Sequence, residues 1–154
     1  MDYSNLKRRE FITKVVILMS GSFYSGKVFA MTDKDWKEKL RPEEYDVLRK
    51  EGTERPNSSV LNNEKREGAY HCVGCGIKLF ESNMKFDSGT GWPSFSEALP
   101  GAFKTKTDYS FGMERVEYHC AKCGAHHGHV FNDGPRESGK RFCSNGLCLI
   151  FKPE

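Results

Sequence analysis

Tyr70-His71-Cys72-Val73-Gly74-Cys75-Gly76 returns as Tyr118-His119-Cys120-Ala121-Lys122-Cys123-Gly124. Each copy is a C-x-x-C pair with glycine directly behind it. Two-residue spacing lets both thiolates point at one ion, and the glycine permits the tight turn. Four thiolates in a tetrahedral set leave no open coordination position, which is the pattern of structural zinc. The 44 residues between Cys75 and Cys120 exceed the ~15–20 of an ordinary zinc ribbon. The two knuckles are therefore expected on separate hairpins of a larger domain. Two disulfides, or two redox-active pairs, are the competing readings of the same cysteines. A redox motif seldom comes twice in one sequence context, so the repeat favours metal. It says nothing about catalysis.

Around the repeat, glycine and proline punctuate short segments rich in aromatic and β-branched residues, at 77–80, 102–107, 115–120, 129–131 and 147–151. Such segments favour strands. The residues before them look helical. Thr32 can cap a first helix with Asp35 three residues on, and Trp36 and Leu40 share one face. Pro42 suits the first position of a second helix. Tyr45, Val47 and Leu48 give that helix its apolar side, and Gly52 is expected to close it. The fold class is α+β, a short helical lead-in on a mainly antiparallel β body.

The chain has 154 residues, of which 37% are hydrophobic and 12% aromatic, with six cysteines and a net charge of +3. That length fits one domain with a tail, and the aromatic content excludes a disordered charged protein. No apolar run reaches the roughly 18 residues that suggest a membrane span. The charge surplus sits entirely in residues 1–30, where Lys7, Arg8, Arg9, Lys14 and Lys27 face Asp2 and Glu10. Residues 31–154 carry 19 basic and 19 acidic side chains. A formally neutral domain, made more negative by zinc-bound thiolates, has little electrostatic support for phosphate, so no nucleic-acid partner is expected.

Residues 1–30 read as an export signal ahead of a 31–154 domain. Lys7-Arg8-Arg9 supplies a positive region, Val15-Val16-Ile17-Leu18-Met19 a short apolar one, and Ala30 a small residue at a cleavage point. Arg8-Arg9 with Phe11-Ile12 close behind resembles a twin-arginine signal. The implied location is periplasmic or otherwise exported. An uncleaved tail on a cytoplasmic protein is the alternative.

Four metal ligands leave Cys143 and Cys148. Cys143 stands in Arg141-Phe142-Cys143-Ser144-Asn145-Gly146. A guanidinium nearby favours thiolate, and thiolate is the nucleophile. In an extended chain Arg141, Cys143 and Asn145 share one face, although Asn-Gly can equally mark a turn. Upstream, His126-His127-Gly128-His129 could give and take protons near neutral pH if the fold brings it close. The plain alternatives are a buried cysteine, packed histidines, a core Trp92 and a turn at Asp133.

Three motifs join the two knuckles in one order: Asp87-Ser88-Gly89-Thr90-Gly91-Trp92-Pro93-Ser94-Phe95; Cys123-Gly124-Ala125-His126-His127-Gly128-His129-Val130-Phe131-Asn132-Asp133-Gly134-Pro135; and Arg141-Phe142-Cys143-Ser144-Asn145-Gly146. Together they resemble the B-type peptide-methionine (R)-S-oxide reductases, from about Lys34 to the C-terminus. The resemblance implies two antiparallel sheets, with one structural Zn²⁺ on Cys72, Cys75, Cys120 and Cys123, remote from the reacting thiol. It implies Cys143 as nucleophile toward methionine (R)-sulfoxide, free or within oxidised proteins, with a sulfenic acid intermediate. His126 and His129 would polarise the sulfoxide oxygen, Asn145 and Arg141 would hold the thiol, and Trp92 would face the substrate's S-methyl group. A thioredoxin-like or other thiol reductant would complete the cycle. Rival readings are a thiol peroxidase or disulfide exchanger using Cys143, and a zinc-knuckle binding module.

The chain departs from the family pattern at three places. Thr90 stands where many members carry a resolving cysteine, so the usual disulfide with Cys143 cannot form. Cys148 replaces a small Ser or Ala and is a candidate resolving thiol. In an unbroken strand it faces away from Cys143, unless a bulge at Asn145-Gly146 reverses the parity. His127 replaces an apolar residue.

Overall fold

The computed structural model describes residues 31–154; the expected leader and its cleavage point lie outside the described residues. Helix α1 spans Asp33–Lys39 behind a capping box in which Thr32 and Asp35 bond each other's backbone amides. These bonds satisfy N–H groups that the first turn leaves without partners. Helix α2 spans Pro42–Lys50 with proline at its start. Its end differs from expectation: Glu51 takes the left-handed cap (φ 58°), and Gly52 only donates back to the Asp46 carbonyl at 3.1 Å. Trp36, Leu40, Val47 and Leu48 are buried as their spacing predicts.

Nine strands follow in two antiparallel sheets. They are β1 Gly68–Cys72, β2 Lys78–Glu81, β3 Lys85–Phe86, β4 Ser94–Phe95, β5 Phe103–Asp108, β6 Arg115–Cys120, β7 His126–Phe131, β8 Arg141–Ser144 and β9 Leu149–Pro153. One sheet runs β2-β1-β9, the other β3-β4-β8-β7-β6-β5. Strands β2, β5, β6 and β9 lie close to the segments anticipated from composition, and β7 starts three residues earlier than expected. Composition and turn signals did not anticipate β1, β3 and β4, and pointed to β8 only conditionally. β3 and β4 are two residues long, and only pairing with distant partners marks such strands. Leu147 and Cys148, expected in a strand, instead belong to a 3₁₀ turn over Gly146–Cys148 that precedes β9.

The sheets close over an aromatic core. Phe80 of the small sheet stacks on Phe95 of the large one, with centroids 3.9 Å apart and planes 6° apart. Tyr70 meets Phe95 edge-on at 4.9 Å, and Phe103 meets Tyr118 edge-on at 4.7 Å. Each buried ring removes a large apolar area from water, worth about 1.5–3 kcal/mol. The knuckles hang one from each sheet, between β1 and β2 and between β6 and β7. In both, the glycine N–H donates to the first cysteine's carbonyl, at 2.7 Å for Gly76 and 2.9 Å for Gly124. Both glycines take positive φ, 74° and 70°, as the turn requires. The lead-in helices tie to both knuckles: Lys39 Nζ donates to the Gly74 carbonyl at 2.6 Å and Arg49 Nη1 to that of Cys123 at 3.2 Å.

Candidate active site

Register across the large sheet sets the site. Lys106 lies opposite Glu117, Glu117 opposite His129, His129 opposite Cys143, and Cys143 opposite Ser94. Directly opposed residues share a face, so four strand pairings carry these side chains to one row. The β6–β7 register skips a residue between Tyr118 and His119. His126 therefore returns to the face of His129, the rings lying 5.7 Å apart, while His127 turns into the core against Phe103 and Tyr118. Gly128, within this irregular stretch, is required: any side chain there would run into the Cys143 carbonyl. The expected His126/His129 pair thus assembles through a bulge.

Beside Cys143 opens a cavity of about 200 Å³, lined by Thr53, Trp92, Arg115, His129, Phe131 and Asn145 as well as the thiol itself. A groove of about 810 Å³ beside α2 is larger, but it is lined by neither cysteine nor histidine. Two imidazole–carboxylate pairs stand around the small cavity. His129 Nε2 bonds Asp108 Oδ2 at 2.8 Å, and Arg115 Nη2 donates to the same oxygen at 2.6 Å. Bonds from Ser110, with His129 and Arg115 behind them, hold the Asp108 carboxyl well below the usual carboxylate range. Burial pushes His129 below the ordinary imidazole value, and Asp108 opposes that shift. Deeper in the sheet, His126 Nδ1 bonds Glu117 Oε1 at 2.7 Å, while Lys106 Nζ reaches Glu117 Oε2 at 3.0 Å. His126 Nε2 is buried with no hydrogen-bond partner. In the neutral ring the carboxylate fixes the N–H on Nδ1 and leaves Nε2 the bare nitrogen.

The thiol is controlled from two sides. Burial pushes Cys143 above its ordinary value; the Arg141 guanidinium, by charge and hydrogen bond, and the Thr90 hydroxyl pull the other way. Arg141 is itself fixed by a two-pronged bond to Asp133, Nε to Oδ1 at 2.9 Å and Nη2 to Oδ2 at 2.8 Å, with Phe131 4.4 Å beneath it. Such paired bonds fix both distance and plane. Thr90 heads a hydroxyl chain, Thr90 to Ser88 at 2.8 Å and Ser88 to Ser94 at 2.7 Å. Asn145 donates from Nδ2 to the His127 carbonyl at 3.1 Å and accepts at Oδ1 from Glu54 N at 3.0 Å. Trp92 is half-buried, its indole N–H donating to the Glu54 carbonyl at 3.1 Å.

Cys143, His129, Asn145 and Trp92 are thus brought to one cavity, with His126 and Arg141 around it. Cys148 is not: it is fully buried, its Sγ donates to the His126 carbonyl at 3.1 Å, and burial pushes it well above the ordinary thiol value. The turn over Gly146–Cys148 breaks the strand, but the residue still ends in the core.

A family model described as the SelR domain matches residues 40–153. A protein of Pseudomonas putida named peptide methionine sulfoxide reductase MsrB is 52% identical over 123 residues, 79% of this chain and 92% of its own length. Proteins of the same name from Methanosarcina barkeri and Leptospira interrogans are each 48% identical, covering 83% and 80% of this chain and 91% and 95% of their own. The chain belongs to the B-type methionine sulfoxide reductase family.

In this B-type reductase the four knuckle cysteines form a metal-type donor set. Their sulfurs all lie within 4.8 Å of one another, with Cys72 to Cys123 at 3.7 Å and Cys75 to Cys120 at 3.5 Å. Four sulfurs at ~2.3 Å from one tetrahedral Zn²⁺ stand ~3.8 Å apart, so the spacing fits the ion. Cys72 and Cys120 are buried and Cys75 and Cys123 half-buried. Zinc here would pin one sheet to the other.

Sequence reasoning missed Glu117, Asp108, Thr53 and Glu54, and left Asp133 as a turn residue. A lone acid inside a strand, such as Glu117, is visible in the sequence, but its partner is not: His126 reaches it through a register skip no local pattern shows. Asp133 had a usable signal, an arginine eight residues on across a Gly-Pro turn. Glu54 had none.

Proposed function

We propose that this methionine sulfoxide reductase acts on the R epimer, free or protein-bound, through attack of Cys143 Sγ on the sulfoxide sulfur. The observation that carries the reading is Cys143 paired opposite His129 across β7 and β8, with Trp92 and Asn145 on the same cavity. Thiolate attacks sulfur only as the sulfoxide oxygen is protonated or strongly hydrogen-bonded, because bare oxide is a poor leaving group. His129, with His126 behind it, supplies that polarisation. Glu117 and Asp108 orient the two rings. Arg141 and Thr90 favour the thiolate against its burial, Asn145 holds the loop beside it, and Trp92 gives the S-methyl group an apolar face.

Oxygen passes to sulfur in the net step: the sulfoxide is reduced to methionine and the Cys143 thiol becomes a sulfenic acid. Two equivalents of an external thiol then restore Cys143, releasing water and a disulfide. Thr90 supplies a hydroxyl where a resolving thiol would be needed, and Cys148 is buried away from solvent, so we assign resolution to a thioredoxin-like or small thiol partner rather than to Cys148. The knuckle cysteines hold one structural Zn²⁺. The role is repair of oxidised methionine, in an exported compartment if residues 1–30 act as the twin-arginine-like leader.

The test offers both epimers of a blocked methionine sulfoxide with dithiothreitol and follows methionine release. The R epimer alone should be consumed, and Cys143→Ser should abolish the reaction. Consumption of the S epimer alone, or full activity in Cys143→Ser, sinks the proposal.

A further inference from the structure

Residues 51–55 have no regular secondary structure, yet four polar groups of Glu54 go to the site. Its N–H donates to Asn145 Oδ1 at 3.0 Å, and its carbonyl accepts from the Trp92 indole at 3.1 Å. Its carboxylate accepts from Gly146 N at Oε1 and from Leu147 N at Oε2, the latter at 3.3 Å. Those partners are 38 and 91–93 positions away in sequence. The carboxylate thus covers the two amides that open the 3₁₀ turn after Asn145, groups the turn itself leaves without partners. An ionised acceptor makes such bonds roughly twice as strong as a neutral one. The approach is close: a side chain at Gly146 would strike Ser59 and stand 3.2 Å from Glu54 Oε1. On its other side Asn145 is held by the His127 carbonyl, through its own N–H at 2.8 Å and through Nδ2 at 3.1 Å.

We infer that Glu54 is a positioning residue that joins Trp92 to the Asn145 loop, so that the substrate-facing ring and the loop behind Cys143 move as one unit. The inference rests on the activity proposed above. Without the carboxylate the Gly146 and Leu147 amides lose their acceptor, Asn145 keeps its bonds to the bulge and to the Glu54 backbone N–H, and the geometry around Cys143 loosens. Loosened positioning in a reacting assembly lowers turnover more than binding. Burial pushes the Glu54 carboxyl upward, and the two amides and the Ser58 side chain oppose it.

The experiment compares R-epimer reduction by the wild-type chain, Glu54→Gln and Glu54→Ala, each also combined with Asn145→Ala. Glu54→Gln keeps an acceptor for Gly146 but turns an amide toward Leu147, and should lower kcat about tenfold with little change in KM. Glu54→Ala should lower it further. On an Asn145→Ala background the Glu54→Gln loss should shrink to less than about twofold, because the residue acts through Asn145. Amide exchange at Gly146 and Leu147 should quicken in Glu54→Gln while the knuckle amides and zinc content stay unchanged. A kcat within twofold of wild type, or a tenfold loss that persists with Asn145→Ala, overturns the inference. So does loss of zinc and of protection across both sheets, which would make Glu54 a residue of the fold alone. A wild-type chain inactive on the R epimer would overturn the activity reading instead, and the exchange of Gly146 and Leu147 would still decide whether Glu54 clamps the loop.

Discussion

Cys72 to Gly76 and Cys120 to Gly124 each close on themselves within five residues, through one carbonyl bond and one left-handed glycine. Cys143 meets His129 only once β7 and β8 have paired, and His129 meets Asp108 only across a further hairpin. The knuckle end is assembled from local turns, whereas the reaction end draws on residues 53 to 145 through long-range pairing. A single knuckle made of a local turn tolerates movement of the rest of its sheet. A pocket made of register does not, and a one-residue slip would send its row to the other face. The four cysteines stand where one ion would join the two sheets, whereas the pocket's register is set inside the large sheet alone.

The sharpest way to break this division is to attack each end separately. Cys120→Ser, or a strong chelator, should release the metal and destabilise the fold by at least about 5 kcal/mol, since binding energy at a structural zinc site is folding energy. Thermal unfolding followed with a zinc-release dye would show both events together. Cys143→Ser should leave the unfolding transition within about 1 kcal/mol of wild type while removing activity. Should Cys143→Ser unfold the chain, or Cys120→Ser leave it intact, the division of labour is wrong.

Next in size is Glu117→Gln. His126 would lose the carboxylate that fixes its tautomer, and about 10²-fold in kcat should go with it, with substrate binding little altered. Steady-state kinetics on the R epimer decide this; an undiminished kcat would make His126 a packing residue. Smaller again is the effect on the thiol. Burial raises Cys143, while Arg141 and Thr90 pull it back. Removing either helper should move thiolate formation to higher pH, so less thiolate is present near neutrality. Alkylation of Cys143 by iodoacetamide, followed against pH, should move to the alkaline side in both Arg141→Met and Thr90→Val. Well below the midpoint, a titration that moves up by about one pH unit leaves about a tenth of the thiolate. An unmoved profile would mean that neither side chain touches the thiol's chemistry.

What could be read from the sequence follows the same line between local and distant. The knuckles, the Thr32 cap, the Pro42 start and the helical core faces of Trp36, Leu40 and Leu48 depend on neighbours within a few residues, and all could be read. Cys143, His126, His129, Asn145, Arg141 and Trp92 were legible because a family resemblance ordered their motifs, not because spacing placed them in one cavity. The bulge that sends His126 and His129 to one face and His127 to the other could not be read, nor could the carboxylates paired with them. Strand β4 shows why. Two residues, Ser94 and Phe95, carry too little pattern to declare a strand, yet they lie opposite Cys143 and Phe142 and set the thiol's row.

His127 stands on the boundary between the two ends and gives the smallest effect. It is fully buried, neither ring nitrogen has a hydrogen-bond partner, and its neighbours are the rings of Phe103 and Tyr118. Burial, the first cause, pushes its pKa down to about 3 from 6.5; the charge of Cys120 opposes, and His126 and His119 add to the lowering. A depressed value means that the folded state resists protonation while the unfolded chain accepts a proton below 6.5. Stability present above that pH is therefore lost as the pH falls from 6.5 toward 3. His127→Leu keeps the carbonyl that holds Asn145 and removes two orphan nitrogens. It should gain about 1 kcal/mol at pH 7.5, and the gain should widen below pH 6.5 by at most about 1.4 kcal/mol per pH unit. Urea unfolding of both proteins at pH 7.5 and 5.5 measures this directly, and the shared metal ligands cancel in the difference. An equal gap at the two pH values would mean that His127 accepts its proton in the folded state, and that the core behind Cys143 is wetter than its burial implies.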